Sequence, residues 1–275
     1  MTETDRGDFD ARLRSAVAEA ATHALRLEGT VANVGKSGET RIEKQALTRA
    51  DLEVQEILLR ALLACRPHVR LEAEEDTPTC ALFGNDSGEV AIIDPIDGTY
   101  HSYLGGEGPY SVILGFAVKG VYRRALVALP REQLLFEGIA GVGARVGTFD
   151  GEGRPAEAIA DGERILVSHG MPDAVCSALE ASGFEVAFGS GGAVAVAPLV
   201  PGVRAGLRYA EALPGVSVRG RAGLVIARES GARVEQASGA DFPNDMTTPA
   251  RTLVIATSAE DSQRIREALR SAGVD

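Results

Sequence analysis

Basic charge is in short supply in this chain: Lys and Arg number 28 against 39 Asp and Glu, a formal charge of −11 over 275 residues. That balance opposes a broad grip on a nucleic-acid backbone or an anionic membrane, so neither is expected as a partner. Cysteine is scarce as well, and Cys65, Cys80 and Cys176 form neither a CxxC nor a Cys/His metal pattern. Their odd number argues against a disulfide framework and suits a reducing compartment. Tryptophan is absent and aromatic residues reach only 5%. No run approaches the roughly 18 consecutive apolar residues of a spanning helix. The acidic start, MTETDRGDFD, has neither the basic flank nor the apolar core of a signal peptide, so a cytoplasmic protein is expected. No Gly-Lys-Ser/Thr follows Gly105-Gly106-Glu107-Gly108, which therefore reads as a turn rather than a nucleotide loop. No Ser-His-Asp order stands out, and there is neither an internal repeat nor a low-complexity tract.

What is present is globular composition, 45% hydrophobic and 24% charged, with length enough for a large core. Leu13, Val17, Ala20, Ala21, Ala24 and Leu25 recur at helical spacing between Phe9 and Leu27, and Gly29 suits a C-cap. The polar 35–40 stretch reads as a loop. Thr48 and Asp51 then introduce a second amphipathic helix through Leu63, with Thr48 as its N-cap and Pro67 marking its end. Strands are expected at Val69–Leu71, Val90–Ile93, Tyr110–Val118, Val121–Pro130 and Gln133–Ile139, the last three forming an antiparallel sheet. Gly141–Pro155 reads as a loop or boundary. Beyond it a strand at Ile165–Ser168, a helix at Pro172–Ser182 and strands near Val186 and Val225 suggest a smaller α/β half.

The chemistry concentrates in Ile92-Ile93-Asp94-Pro95-Ile96-Asp97-Gly98-Thr99, where an apolar strand delivers two aspartates around a proline, followed by glycine and a hydroxyl. Asp51 and the pair Glu74-Glu75 lie upstream. Carboxylates gathered at neighbouring strand ends repel one another and persist together where cations neutralise them. Hard oxygen donors of this kind suit Mg²⁺ or Mn²⁺, which leave positions open for phosphate oxygens.

This pattern resembles the inositol monophosphatase family, within the Mg²⁺-dependent, lithium-sensitive phosphatases. The family signature Asp-Pro-[Ile/Leu]-Asp-Gly-[Thr/Ser] is reproduced by Asp94 to Thr99, its Gly-Glu-Glu element by Ala73-Glu74-Glu75, and its Val-Thr-x-x-Asp element by Leu47 to Asp51. Gly189-Ser190, Glu229-Ser230-Gly231-Ala232 and the tail from Asp241 through Ala256 follow in the family's order. The resemblance implies an α/β layered sandwich, with an α+β half at 1–150 carrying the metal carboxylates and an α/β half at 151–275 forming the substrate wall. It implies that Glu74, Asp94 and the carbonyl of Ile96 hold a first metal and that Asp94 and Asp97 share a second. Asp51 with Thr99 would orient and deprotonate water; Glu75 reads equally as a further catalytic or second-layer carboxylate and as a plain surface one. The Gly98 and Thr99 amides would cradle phosphate, while Gly189, Ser190 and Glu211 would meet the rest of a small phosphorylated metabolite. The cofactor implied is Mg²⁺ or Mn²⁺, and the assembly a homodimer.

One element departs. Where the family's Trp-Asp-x-Ala-Ala-Gly element supplies a metal-ligand aspartate, this chain places Val218 and Arg219. Three readings stay open: Arg219 replaces the second cation and grips phosphate, the second ion binds without that ligand while Arg219 points elsewhere, or hydrolysis has been lost and the fold binds a phosphorylated ligand or partner. Other polar residues have plain readings beside functional ones. Glu72, Asp76 and Asp86 read as solvated, His101 as either a substrate or metal contact or a polar loop residue. Lys36 and Lys44 either approach phosphate or are solvated loop lysines. Arg204, Arg208, Arg219 and Arg221 form either a basic rim or surface ion pairs.

Overall fold

The computed structural model describes residues 3–35 and 47–274, with side chains from residue 9 onward; Lys36 and Lys44 lie outside the described residues. Two helices open the chain, α1 at Glu3–Leu27 and α2 at Arg49–Leu63. A seven-stranded sheet follows in plain chain order. Its strands are β1 (Arg70–Ala73), β2 (Glu89–Asp97), β3 (Ser111–Val118), β4 (Val121–Leu129), β5 (Leu134–Ile139), β6 (Gly143–Thr148) and β7 (Arg154–Pro155). β1 runs parallel to β2, and every later pairing is antiparallel.

A second sheet has the order β11-β12-β10-β8-β9. It is built from β8 (Arg164–Ser168), β9 (Glu185–Gly189), β10 (Val203–Tyr209), β11 (Arg233–Glu235) and β12 (Thr252–Ala256). Helix α3 (Asp173–Ala181) and helix α7 (Ala259–Ser271) cover its outer face. Three short helices, α4 (Gly191–Ala195), α5 (Val218–Ala222) and α6 (Leu224–Glu229), lie between the two sheets. The result is an α/β sandwich with layers in the order α, β, α, β, α.

Burial explains why β2 reads as an uninterrupted apolar run. Side chains alternate across a strand, so Ala91 and Ile93 join Leu13, Val17, Leu58 and Leu62 beneath α1 and α2. Val90 and Ile92 instead pack with Ala193, Val194, Ala222 and Ile226 of the middle layer. A strand covered on both faces cannot show a polar alternation. Glycine makes the close approach of the layers possible: a Cβ on Gly138 of β5 would lie 2.6 Å from the Ile226 Cα, and one on Gly115 of β3 would lie 2.8 Å from the Ala222 Cβ.

Two expectations are overturned. Gly141–Pro155 is not a loop but carries β6 and β7, because Ala144 and Val146 face the core between exposed neighbours and extend the antiparallel ladder from β5. The segment around Val225 is helix α6 rather than a strand: Leu224, Val225, Ile226 and Ala227 are all buried against β4, β5 and their neighbours, a continuous apolar run whose periodicity does not separate strand from buried helix.

Candidate active site

The site begins with a bulge. Asp94 pairs with Ile113 and Asp97 with Ser111, so three steps along β2 match two along β3. Pro95 has no N–H to give the ladder, and the extra residue is accommodated there. In a regular strand, residues three apart face opposite ways. The bulge restores the phase and turns both aspartates toward the same edge of the sheet. Gly98 then reverses the backbone at φ +94°, and a Cβ on it would sit 2.8 Å from that of Ser190. The chain continues into a wide helical turn at Thr99–Leu104.

Asp51 arrives from the start of α2. It is almost wholly buried, with Oδ2 accepting from the Thr48 N–H at 2.8 Å and the Thr48 hydroxyl at 2.7 Å, a reciprocal cap of the helix. Its Oδ1 accepts from the Thr99 hydroxyl at 3.0 Å, and the same hydroxyl reaches the Ile96 carbonyl at 2.7 Å. Burial lifts the Asp51 pKa to about 6 against the opposing pull of these hydrogen bonds, and the charge of Glu74 adds to the rise. Glu74 follows β1, its N–H donating to the Ile93 carbonyl, which sets it beside Asp94. Gln55 of α2 clamps the Glu75 backbone on both sides, donating to its carbonyl at 2.7 Å and accepting from its N–H at 3.0 Å.

Asp94 lies at the centre. Its Oδ1 is buried with no hydrogen-bond partner. Burial first, then the charges of Glu74 and Asp97, push its pKa well above the ordinary value, and Arg219 alone pulls the other way. Arg219, at the start of α5, lies with Nε 3.4 Å from Asp94 Oδ2 and an Nη 3.7 Å from Glu74 Oε1. Although burial works against its charge, Asp94 and Glu74 hold that guanidinium protonated. Arg219 has therefore not turned away: its positive charge sits among the carboxylates. A buried carboxylate oxygen without a donor, in a cluster with excess negative charge, is what a hard cation fits.

Asp97 behaves differently. Its Oδ2 accepts from Ser111 Oγ at 2.9 Å and from the Gly192 N–H at 2.6 Å, and Ser111 Oγ also meets Ser190 Oγ at 2.9 Å. Ser190 caps α4 through the Ala193 N–H. Asp97, Gly189 and Ser190 are thus tied together where the two sheets meet, and Asp97 is directed toward α4 rather than joined to Glu74 and Asp94 in one chelating group. Glu211 lies exposed just beyond β10, where its carbonyl accepts from Arg251.

Several site-adjacent residues carried little or no signal in the sequence. Among the described residues, His101, Glu107 and His169 form a group whose ligand-type atoms all lie within 4.8 Å of one another. The two imidazoles stack at 4.5 Å, Phe188 continues the stack on His169, and Ser102 Oγ lies 3.1 Å from His169 Nε2. Burial and the neighbouring His101 lower the His169 pKa. Ser168-His169, Gly189-Ser190 and Arg208-Tyr209 all stand at or just past the carboxyl ends of the parallel strands β8, β9 and β10. The position of ligand sites at such strand ends was the available signal.

Of the four arginines read as a rim, two are structural. Arg204 pairs with Asp261 and Glu163, and Arg221 donates to the carbonyls of Val216, Asp245 and Thr248.

No curated protein matches the sequence. Solved structures match its whole fold at low identity. The inositol monophosphatase of Thermotoga maritima is 20% identical, with 98% of this chain and 100% of that one covered and a TM-score of 0.71. The extragenic suppressor protein SuhB of Bartonella henselae is 18% identical, with 96% and 98% covered and a TM-score of 0.73. A staphylococcal inositol monophosphatase, described as a lithium chloride-soaked inhibitory complex, is 18% identical with 100% and 98% covered and a TM-score of 0.71. The sequence model of the inositol monophosphatase family matches residues 7–181, which include Asp51, Glu74 and the whole Asp94–Thr99 run. With that match over more than half its length and the family's sandwich around those carboxylates, the chain belongs to the inositol monophosphatase family.

Proposed function

We propose that this protein is a phosphatase that hydrolyses a phosphate monoester of a small polyol, sugar or nucleotide-like alcohol with Mg²⁺ or Mn²⁺. Family membership supports phosphatase chemistry in general. The observation that carries the finer reading is the Asp94 carboxylate: one oxygen buried without a donor, the other facing Arg219. Glu74, Asp94 and the Ile96 carbonyl would hold a divalent cation, which supplies charge neutralisation on the phosphoryl group and acidity to the attacking water. Arg219 contributes the positive charge that a second ion supplies elsewhere, in a form fixed by the fold and suited to bidentate contact with phosphate oxygens.

The proton path follows from burial. Asp51 is sealed behind Thr99, so a water attacking phosphorus loses its proton to the Thr99 oxygen as the Thr99 hydroxyl proton passes to Asp51 Oδ1. The new P–O bond forms as the ester P–O bond breaks, and the departing alkoxide takes a proton from solvent. With a pKa of about 6, Asp51 is ionised and ready to accept at neutral pH. The Gly98 and Thr99 amides, at the start of the wide turn, would donate to phosphate oxygens.

A second reading has one observation in its favour. Arg219 already neutralises Glu74 and Asp94, which would also suit a family member that binds a phosphorylated ligand without cleaving it. The deciding experiment is phosphate release from inositol, sugar and nucleotide phosphates, with Mg²⁺ titrated from zero and EDTA as control, for wild type and Arg219→Asp. The proposal expects Mg²⁺-dependent turnover in the wild type, and in Arg219→Asp either a second, steeper ion dependence or loss of turnover. An unchanged rate and ion profile in the variant removes Arg219 from the mechanism. Binding without turnover by the wild type favours the second reading.

The homodimeric assembly and the division at residue 150 remain part of this proposal, supported by family resemblance.

A further inference from the structure

Arg208 occupies a position that packing alone does not explain. It is the penultimate residue of β10, on the face that Gly206 shares. A Cβ on Gly206 would lie 2.5 Å from the Val194 carbonyl oxygen, so this face looks into the middle layer of helices. The Arg208 guanidinium lies in a notch between α4 and α5: a Cβ on Gly191 would come within 2.6 Å of its Cζ, and one on Gly220 within 2.7 Å. Both walls are glycine where any side chain would collide with the cation. Its Nη1 is buried with no hydrogen-bond partner, and among the described residues no carboxylate pairs with it.

A second arginine makes the position less favourable still. Arg221 feels the Arg208 charge, and its own donors are committed to carbonyl groups rather than to a carboxylate. Asp245 lends its charge to Arg221, whereas no carboxylate among the described residues pairs with Arg208, so the acceptor its buried Nη1 lacks is not supplied by the protein. A buried N–H of a charged group without an acceptor is costly, and such a group persists where a ligand supplies the acceptor.

The notch also has a fixed relation to the reaction site. Gly191 is one residue from Gly192, whose N–H holds Asp97, and Gly220 is one residue from Arg219, which faces Asp94 and Glu74. One Cα step is about 3.8 Å. The two glycines that frame the guanidinium are thus chain neighbours of the groups that hold Asp97 and face Asp94, which puts the cation within reach of a substituent on a phosphate ester bound at those carboxylates. A neutral polyol gives Arg208 no charged acceptor there. An anionic substituent does.

We propose that Arg208 sets substrate choice by binding a second anionic group, a phosphate or a carboxylate, carried a few bonds from the ester that the site cleaves. This rests on the hydrolytic reading above, with the substrate being a phosphate ester of a sugar or polyol acid, or a bisphosphate, rather than a simple polyol monophosphate.

The test uses matched pairs with the full chain and Mg²⁺: fructose 1,6-bisphosphate against fructose 1-phosphate for a second phosphate, and 3-phosphoglycerate against glycerol 1-phosphate for a carboxylate. In wild type, kcat/KM for the compound with the second anionic group exceeds that of its mate in at least one pair by about 10–100-fold, the worth of a charge-assisted hydrogen bond. In Arg208→Met that ratio collapses to about one, whereas Arg208→Lys retains part of it. The pair that shows the preference identifies the second anion as phosphate or carboxylate. Equal rates within both pairs in wild type, or a preference that survives Arg208→Met, overturns the proposal. Should wild type turn over none of them, the hydrolytic reading fails, and affinities for the same compounds by calorimetry decide the role of Arg208: a preference for the second anion that Arg208→Met erases sustains it, and equal affinities overturn it. Because Arg208 has no partner to lose, Arg208→Met keeps or raises Tm; a fall would mark it as a structural residue and count against the proposal.

Discussion

The two walls of the cleft are built on different principles. The carboxylate wall comes from β2 and the start of α2, where one bulged strand and one capped helix fix Asp51, Asp94, Asp97 and Thr99 through backbone geometry. The arginine wall comes from the end of β10 and the short helix α5, which bring Arg208 and Arg219 in from points eleven residues apart in sequence. The first wall draws its residues from one short motif and one helix start, set by pairing with the neighbouring strand. The second exists only once the two sheets have closed on the middle layer. Chemistry shared by a family is held by local geometry, and what distinguishes this member is held by packing.

The sharpest way to break the comparison is at Asp94. Asp94→Asn removes a charge from the centre of the carboxylate wall, and phosphatase activity should fall by more than about 10²–10³-fold, the scale of losing electrostatic support at a reacting centre. Stability should not fall with it, since the buried carboxylate is opposed by Glu74 and Asp97. Steady-state kinetics alongside thermal denaturation in EDTA reads both. A loss of Tm that matched the loss of rate would mean that Asp94 is a structural ion-pair partner of Arg219.

The next effect is on pH. With Asp51 as the proton acceptor, kcat/KM should climb about tenfold per unit up to its pKa of about 6 and level above it. Thr99→Val should lower the plateau by cutting the path to Asp51. The stability effect has the opposite sign. A raised acid pKa means that the folded state holds the proton more tightly, so the favourable contribution is full below the ordinary 3.8 and lost as pH rises through about 6. The Tm of Asp51→Asn relative to wild type should therefore increase across that interval, by the equivalent of about 3 kcal/mol at most. A constant difference would show that Asp51 is not the group being titrated.

The smallest effect probes the seam between the walls. Ser111→Ala removes one donor from Asp97 and one partner from Ser190. Asp97 does not join Glu74 and Asp94, but its charge acts on Asp94; losing support behind a metal site weakens affinity by about 10–100-fold in general, and here the Gly192 N–H still holds Asp97, so the lower end is expected in a Mg²⁺ titration. An unchanged Mg²⁺ midpoint would place Asp97 with the arginine wall alone.

Much of the first wall could be read from residue types. Thr48 and Asp51 announced a helix start, and Asp94-Pro95-Ile96-Asp97-Gly98-Thr99 announced a strand that ends in carboxylates. The reason these aspartates share an edge was not legible, because a bulge depends on the partner strand. The strands β6 and β7 were hidden by glycine, which signals turns and close packing equally. The helix at Val225 was hidden by burial on every side. On the second wall, Arg219 was located by counting within a motif, whereas Arg208 was one of several arginines. The difference lies in Gly191 and Gly220, whose missing side chains form the notch. Nothing in a one-dimensional sequence says that two glycines so far apart frame the same cation.

The ring of Phe188, 41% exposed and stacked on His169 at the edge of the cleft, has a practical side. A chain without tryptophan is spectroscopically quiet where indole absorbs and emits. Phe188→Trp would place a lone fluorophore beside an imidazole that quenches when protonated, and its emission would follow occupancy of the cleft by ions and phosphate esters, whether or not a bond is cleaved.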